Sequence, residues 1–283
     1  MTWTDWRDHG MEAQFNPRVA AGAETEPALE FWMTQSVARK AELGGCFDVA
    51  YGPHDLMRFD LHPGEIGRPV IINIHGGYWR ALDKAVMYHH MADLAKGGFG
   101  LVNMNYPLCP EVTLTDIMQH LDLGLGYVLA RLDDDGNTGP VVLMGHSAGA
   151  HMAMHLTHHV GLNGRLAGVA ALSGIYEPEL VLDLAVNADV RLSADEAARW
   201  NCLRHMPRAG IDYYIAVGGG EPSGWIDQSW MMADALRQRG DRVRFHGCGR
   251  LHHFNMVDCL CDANHGDGAQ LHHWLAGMAS QRR

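Results

Sequence analysis

Short apolar runs separated by helix-length stretches of mixed polarity recur along the chain. Val70–Ile74 is apolar but for Asn73, and Gly100–Met104, residues 141–144, Leu166–Leu172, 213–217 and 242–246 follow. Runs of this length bounded by glycine or proline read as strands covered on both faces. Residues 47–51 and 57–61 precede them, the second alternating as an antiparallel strand does. Helical patterns fill the intervals at 27–40, 84–96, 115–132, 150–156, 225–239 and 268–278. Alternating strands and helices predict an α/β fold, with a mostly parallel central sheet and helices on both faces.

Two stretches break that rhythm. Residues 177–207 are helical in character and too long for a simple crossover, which predicts a small cap over the mouth of a site. Residues 1–40, interrupted at Asn16-Pro17-Arg18, predict an N-terminal arm and helix lying over the main body. No repeat, linker or low-complexity segment divides the chain, so 1–283 is read as a single domain.

Composition narrows the classes. Apolar residues make up 47% of the 283 positions, enough for a sizeable core. A formal net charge of −11 disfavours nucleic acid and anionic membranes as partners. No apolar run reaches membrane-spanning length. The stretch Met1–Asp8 lacks the basic-then-apolar order of a secretory signal. Six scattered cysteines (46, 109, 202, 248, 259 and 261) have no framework spacing, so reduced thiols in a cytoplasmic protein are expected. The expected partner is a small-molecule substrate, and homo-oligomerisation is left open.

The candidate chemistry centres on Gly145-His146-Ser147-Ala148-Gly149, which follows a strand and precedes a helix. Gly-x-Ser-x-Gly in that setting is the nucleophile elbow of α/β-hydrolases. Ser147 would stand on a sharp turn at the strand's carboxyl end, with small neighbours leaving it room. A serine hydroxyl needs a base, and the base needs an orienting carboxylate, here in the chain order Ser, acid, His. Glu221, in the glycine-rich turn after residues 213–217, is the expected acid, with Asp227 as its competitor. His253 is the expected base, with His252 beside it as the alternative. The oxyanion would need two N–H donors, one from Ala148 and one from the Gly76-Gly77 turn after Val70–Ile74.

His75-Gly76-Gly77-Tyr78-Trp79 resembles the HGGxW signature of α/β-hydrolase kynurenine formamidases, a branch near the hormone-sensitive-lipase-like esterases. The likeness extends through Phe15-Asn16-Pro17-Arg18, Asn105-Tyr106-Pro107-Leu108, the elbow, Leu172-Ser173-Gly174-Ile175-Tyr176, Glu221 with Gln228-Ser229, and His253-Phe254. It implies a Ser147–Glu221–His253 triad, with Gly76, Gly77 and Ala148 donating to the oxyanion. It departs in having Glu221 where relatives carry aspartate, and Tyr78 where lipase-like relatives have a third glycine. The activity implied is hydrolysis of an aryl formamide such as N-formylkynurenine, with short-chain esters as the alternative and a non-catalytic binding module as a remote third. Tyr78, Trp79, Tyr106, Tyr176 and Trp225 are expected near strand ends or the cap, as candidate walls of a substrate pocket. His151 and His155, one helical turn apart, could face a zinc ion, but no carboxylate completes a His-Glu-x-x-His pattern. Neither metal nor cofactor is therefore expected.

Overall fold

A computed structural model of the chain describes residues 10–280. The first nine residues of the expected arm, including the stretch read for a secretory signal, lie outside the described residues. Eight strands form one sheet: β1 (Cys46–Ala50), β2 (Arg58–His62), β3 (Val70–Ile74), β4 (Gly100–Met104), β5 (Val141–His146), β6 (Leu166–Leu172), β7 (Asp212–Gly218) and β8 (Arg242–Cys248). Their order across the sheet is β1-β2-β4-β3-β5-β6-β7-β8. Only the β1–β2 and β2–β4 pairings are antiparallel. The others run parallel.

The apolar runs are long because both faces of the sheet are covered. Ile72, Ile74 and Leu143 pack on one side, and Ile71, Val142 and Met144 on the other, as the two-residue period of a strand demands. The first side is closed by α5 (Leu114–Asp134), α6 (Ala148–Leu156) and α9 (Ser223–Gln238), through Leu121, Met152 and Met232. The second is closed by α3 (Thr25–Lys40), α4 (Tyr88–Lys96), α10 (Asn255–Cys261) and α11 (Gly266–Gly277), through Trp32, Met91, Leu260 and Leu271. Asn73, the polar member of β3, donates to Asn103 Oδ1 on β4 at 3.0 Å, so its burial leaves that amide paired.

The arm is helical on both sides of its proline. α1 (Met11–Phe15) ends at Asn16, and α2 (Pro17–Ala21) starts at once. Asn16 caps α2, its Oδ1 accepting from Arg18 N at 3.1 Å, with Pro17 in the first turn, where its missing N–H costs nothing. The interruption read at 16–18 is thus a helix start. In the stretch 177–207 the chain makes a 3₁₀ turn (Pro178–Asp183) and two short helices, α7 (Asn187–Val190) and α8 (Ala194–Arg199). Among the described residues, no helix is long and apolar enough to cross a membrane. The six cysteines form no disulfide.

Candidate active site

At the end of β5 the chain turns sharply through Ser147 (φ 58°, ψ −125°) into α6. The turn demands its glycines. A Cβ on Gly145 would lie 2.2 Å from the carbonyl carbon of Gly149, and one on Gly149 would lie 2.0 Å from Ile74 O. Among the described residues seven non-glycine residues adopt positive φ, and five of them (Tyr78, Trp79, Leu82, Ser147, Ser173) lie in or near this turn. Side chains resist that conformation, at about 1–3 kcal/mol each, so its concentration at one place marks a functional site.

Glu221 and His253 meet beside the elbow. Glu221 follows β7 on the turn Gly218–Gly220, and His253 stands in the loop between β8 and α10. The Glu221 Oε2 to His253 Nδ1 distance is 2.8 Å, and both residues are buried. A carboxylate can only accept here, so Nδ1 carries the proton and Nε2 keeps its lone pair. His253 and Ser147 line the same cavity. Asp227 lies on α9. His252 faces the arm and approaches Glu24 at 3.0 Å.

Ser173 was not singled out by sequence reasoning. It follows β6, has φ 49°, and its hydroxyl lies 2.5 and 2.6 Å from the two oxygens of Glu221 and 3.1 Å from His253 Nδ1. Gly218 N also donates to Glu221 Oε1 at 2.8 Å. Three donors thus fix a carboxylate whose extra methylene would otherwise leave it mobile. The available signal was a hydroxyl one residue past a buried parallel strand, level with the elbow.

The His75–Trp79 loop closes over the nucleophile. A Cβ on Gly76 would lie 3.1 Å from Ser147 Cβ and 2.7 Å from His146 O. Gly77 has φ 105°, and a Cβ there would lie 2.1 Å from Ala81 O. The loop carbonyls are tied down: Gly76 O lies 2.8 Å from His75 Nδ1, and Gly77 O accepts from Arg80 N and Ala81 N. In a planar trans peptide the N–H points opposite to the preceding carbonyl, so these bonds fix where the N–H of Gly77 and Tyr78 can face.

In front of Ser147 lies a cavity of about 310 Å³. Of the five aromatics expected on its wall, Tyr78 is there, and the other four require correction. Left-handed backbone at both Tyr78 and Trp79 turns Trp79 inward, edge-on to His151 at 5.2 Å. Tyr106 stacks on His75 at 4.2 Å and donates to His75 O. Tyr176 is buried, its N donating to Gln228 Oε1. Trp225 sits behind the imidazole, 4.7 Å from the His253 ring, with Nε1 donating to Ser173 O at 3.0 Å. The aromatic wall comes instead from Trp32 on α3 and Phe254, rings 6.0 Å apart. Asn16, Pro17 and Arg18 of the arm and Val186 of the 177–207 stretch complete the cavity.

His151 and His155 both direct Nε2 at Trp200 O, at 2.7 and 2.8 Å, and Cys202 Sγ lies 3.5 Å from His155 Nε2. Cys202, the third group able to bind a metal, comes from the insertion, where helix spacing could not reveal it. Each Nε2 is accounted for as a donor to one carbonyl. Burial, with the neighbouring histidine second, pushes His151 down to about 3, and burial pushes His155 down to about 4. The unfolded values are near 6.5, so between the two the unfolded chain binds more protons. The stability due to these residues is complete above pH 6.5 and is lost as pH falls toward 4. Wild-type Tm should drop by several degrees between pH 7 and pH 5. His155→Gln should shrink that drop, and an equal drop in the variant would count against the assignment.

The family model BD-FAE matches residues 50–189. Kynurenine formamidase of Danio rerio is 24% identical over 89% of this chain and 89% of its own length. A candidate thioesterase from a Silicibacter species shares the fold at a TM-score of 0.78, with 24% identity over 92% of this chain and 98% of that one. A hormone-sensitive lipase from a metagenome library gives 0.60, with 17% identity over 98% and 100%. Sheet order, elbow and relatives together define an α/β-hydrolase. By those relatives the chain is a hydrolase similar to kynurenine formamidases.

Proposed function

We propose that the protein hydrolyses small aryl formamides, N-formylkynurenine among them, by acyl transfer through Ser147, Glu221 and His253. The observation that carries this reading is the buried Glu221–His253 bond at 2.8 Å beside a serine held at φ 58°. His253 Nε2 takes the Ser147 proton as Oγ attacks the formyl carbon. The N–H groups of Gly77 and Ala148 receive the developing oxyanion, preorganised electrostatics of the kind that supplies a large share of such catalysis. Imidazolium, held by Glu221, then protonates the leaving aniline nitrogen. Water attacks the formyl-enzyme, with His253 again as base, and formate leaves. The formamidase relatives support the substrate class.

A carboxylesterase reading draws support from the esterases and lipases that share the fold. Rates on N-formylkynurenine and on p-nitrophenyl esters of increasing acyl length separate the two. With Tyr78 beside Ser147, kcat/KM should fall steeply from acetyl to butyryl and octanoyl, each extra methylene in a tight pocket costing about 10-fold or more. A flat or rising profile, with the formamide slower than the acetate, would favour the esterase.

A further inference from the structure

The residue before the nucleophile has no part in the acyl-transfer steps, yet it reaches the base. Strand alternation sends His146 to the side of the sheet that holds Val142 and Met144, where Trp32 and Phe254 also lie. The Trp32 ring stands edge-on to it at 6.0 Å. From there His146 Nε2 lies 2.9 Å from the main-chain oxygen of His253. A carbonyl only accepts, so Nε2 carries the proton and donates. Burial, with His253 second, holds the His146 imidazole well below its usual value, so it stays neutral beside a base that must take up charge. Among the described residues no backbone N–H donates to His253 O, although Met256 N donates to the neighbouring His252 O at 3.1 Å. A buried carbonyl without a donor is costly, so the His146 ring completes what the start of α10 leaves open.

We propose that His146 is a positioning residue for His253, strapping the main chain of the base to the residue that precedes the nucleophile. This rests on the acyl-transfer reading above and adds a residue that itself moves no proton. Glu221 holds the His253 ring at Nδ1, which fixes its tautomer and one point of its position. One bond to the ring does not fix the chain that carries it, and His253 stands in a loop between β8 and α10. The His146 bond supplies a second anchor, at the main chain. Because His146 and Ser147 are consecutive, the strap has little slack, and elbow and base move together. Proton transfer demands this, since a misplacement of about 1 Å can cost about 100-fold. The far side of the loop is fixed separately: Asp258 Oδ1 on α10 accepts from Nε2 of His89 and of His90 on α4, at 2.8 and 2.7 Å. Loss of the His146 bond therefore frees the loop on its elbow side while α10 stays docked.

The test uses the whole enzyme and three replacements of His146. They are read by kcat and KM on p-nitrophenyl acetate and by the rate at which a fluorophosphonate labels Ser147. Glutamine puts its amide nitrogen where Nε2 stood, asparagine only where Nδ1 stood, and phenylalanine keeps a ring without a donor. His146→Gln should stay within about threefold of wild type, because the donated bond is retained. His146→Asn and His146→Phe should each lose about 10- to 100-fold in kcat and in labelling rate, with KM moving far less. Labelling is informative because the probe needs only the activated hydroxyl and no particular substrate class. Thermal unfolding curves check the fold, and if His146→Phe does not fold, the comparison of His146→Asn with His146→Gln decides. His146→Asn as fast as wild type overturns the role. So does an equal loss in all three variants, which would assign the effect to the shape of the ring and not to its donor. If wild type itself is not labelled at Ser147, the acyl-transfer reading falls and this role with it, a result distinct from wild-type labelling that no variant changes.

Discussion

Ser147→Ala should reduce turnover on the best formamide or ester substrate by about 10⁴-fold or more while the protein keeps its fold. The alanine removes the oxygen that forms the acyl-enzyme and nothing that supports the elbow, since Ser147 N still donates to Leu172 O at 2.9 Å. Residual activity would come from binding and from N–H groups placed for the oxyanion. Stoichiometric labelling by a fluorophosphonate should vanish with the hydroxyl, and a label found on another serine would refute the role of Ser147. A companion variant isolates the strain. Ser147→Gly is equally inactive in expectation but should raise Tm by a few degrees, because glycine occupies positive φ at little cost and the strain is about 1–3 kcal/mol.

Glu221→Gln should cost about 10³- to 10⁴-fold in kcat, whereas Asp227→Asn should change it by less than about threefold. The amide is close in size to the carboxylate and can still accept from Ser173 and Gly218 N. With its oxygen held by those donors, its NH₂ would face His253 Nδ1 and donate to it. That moves the imidazole proton to Nε2, where the ring can no longer accept from Ser147. The loss should appear in kcat with little change in inhibitor binding. Reversed ranking of the two variants would transfer the role to Asp227, on α9.

The strands with the densest apolar runs were legible to the residue: β3, β4 and β6 occupy 70–74, 100–104 and 166–172, as read. Burial on both faces leaves such strands no polar alternation to blur their ends. Helix starts were less legible. α6 begins at Ala148, two residues before the helical pattern, because the strained serine turn delivers the chain straight into its first turn. α10 was missed: seven residues are too few to display a period. The segment 84–96 opens as a 3₁₀ turn, where Lys84 reaches buried Asp60 at 2.8 Å and exposed Asp48 at 2.6 Å, contacts invisible without the sheet.

At the site, motif and chain order pointed to the residues that meet, because strand ends and tight turns leave a local signature. The cavity wall left none. Trp32, Phe254, Tyr78 and Arg18 come from four separate segments, and only the tertiary arrangement makes them neighbours. Aromatics adjacent to motifs were the natural guess. Trp79, Tyr106 and Tyr176 instead build the floor that holds the loops.

The arm's attachment bears on the order in which the protein can be completed during synthesis. Gln14 Oε1 accepts from Gly224 N at 2.8 Å, a bond between residues 210 positions apart. Glu12 binds Ala185 N, and Tyr78 OH binds Phe15 O. Residues 11–18 are made long before their docking partner on α9, which must wait until residues 223–238 have been made. Contacts this distant in sequence are slow to form, because a long loop must close before any of them contributes. The serine turn can therefore exist in the nascent chain well before its pocket is roofed and before His253 has emerged. Reactive geometry and a closed pocket arrive together, once the stretch from α9 to His253 has been made.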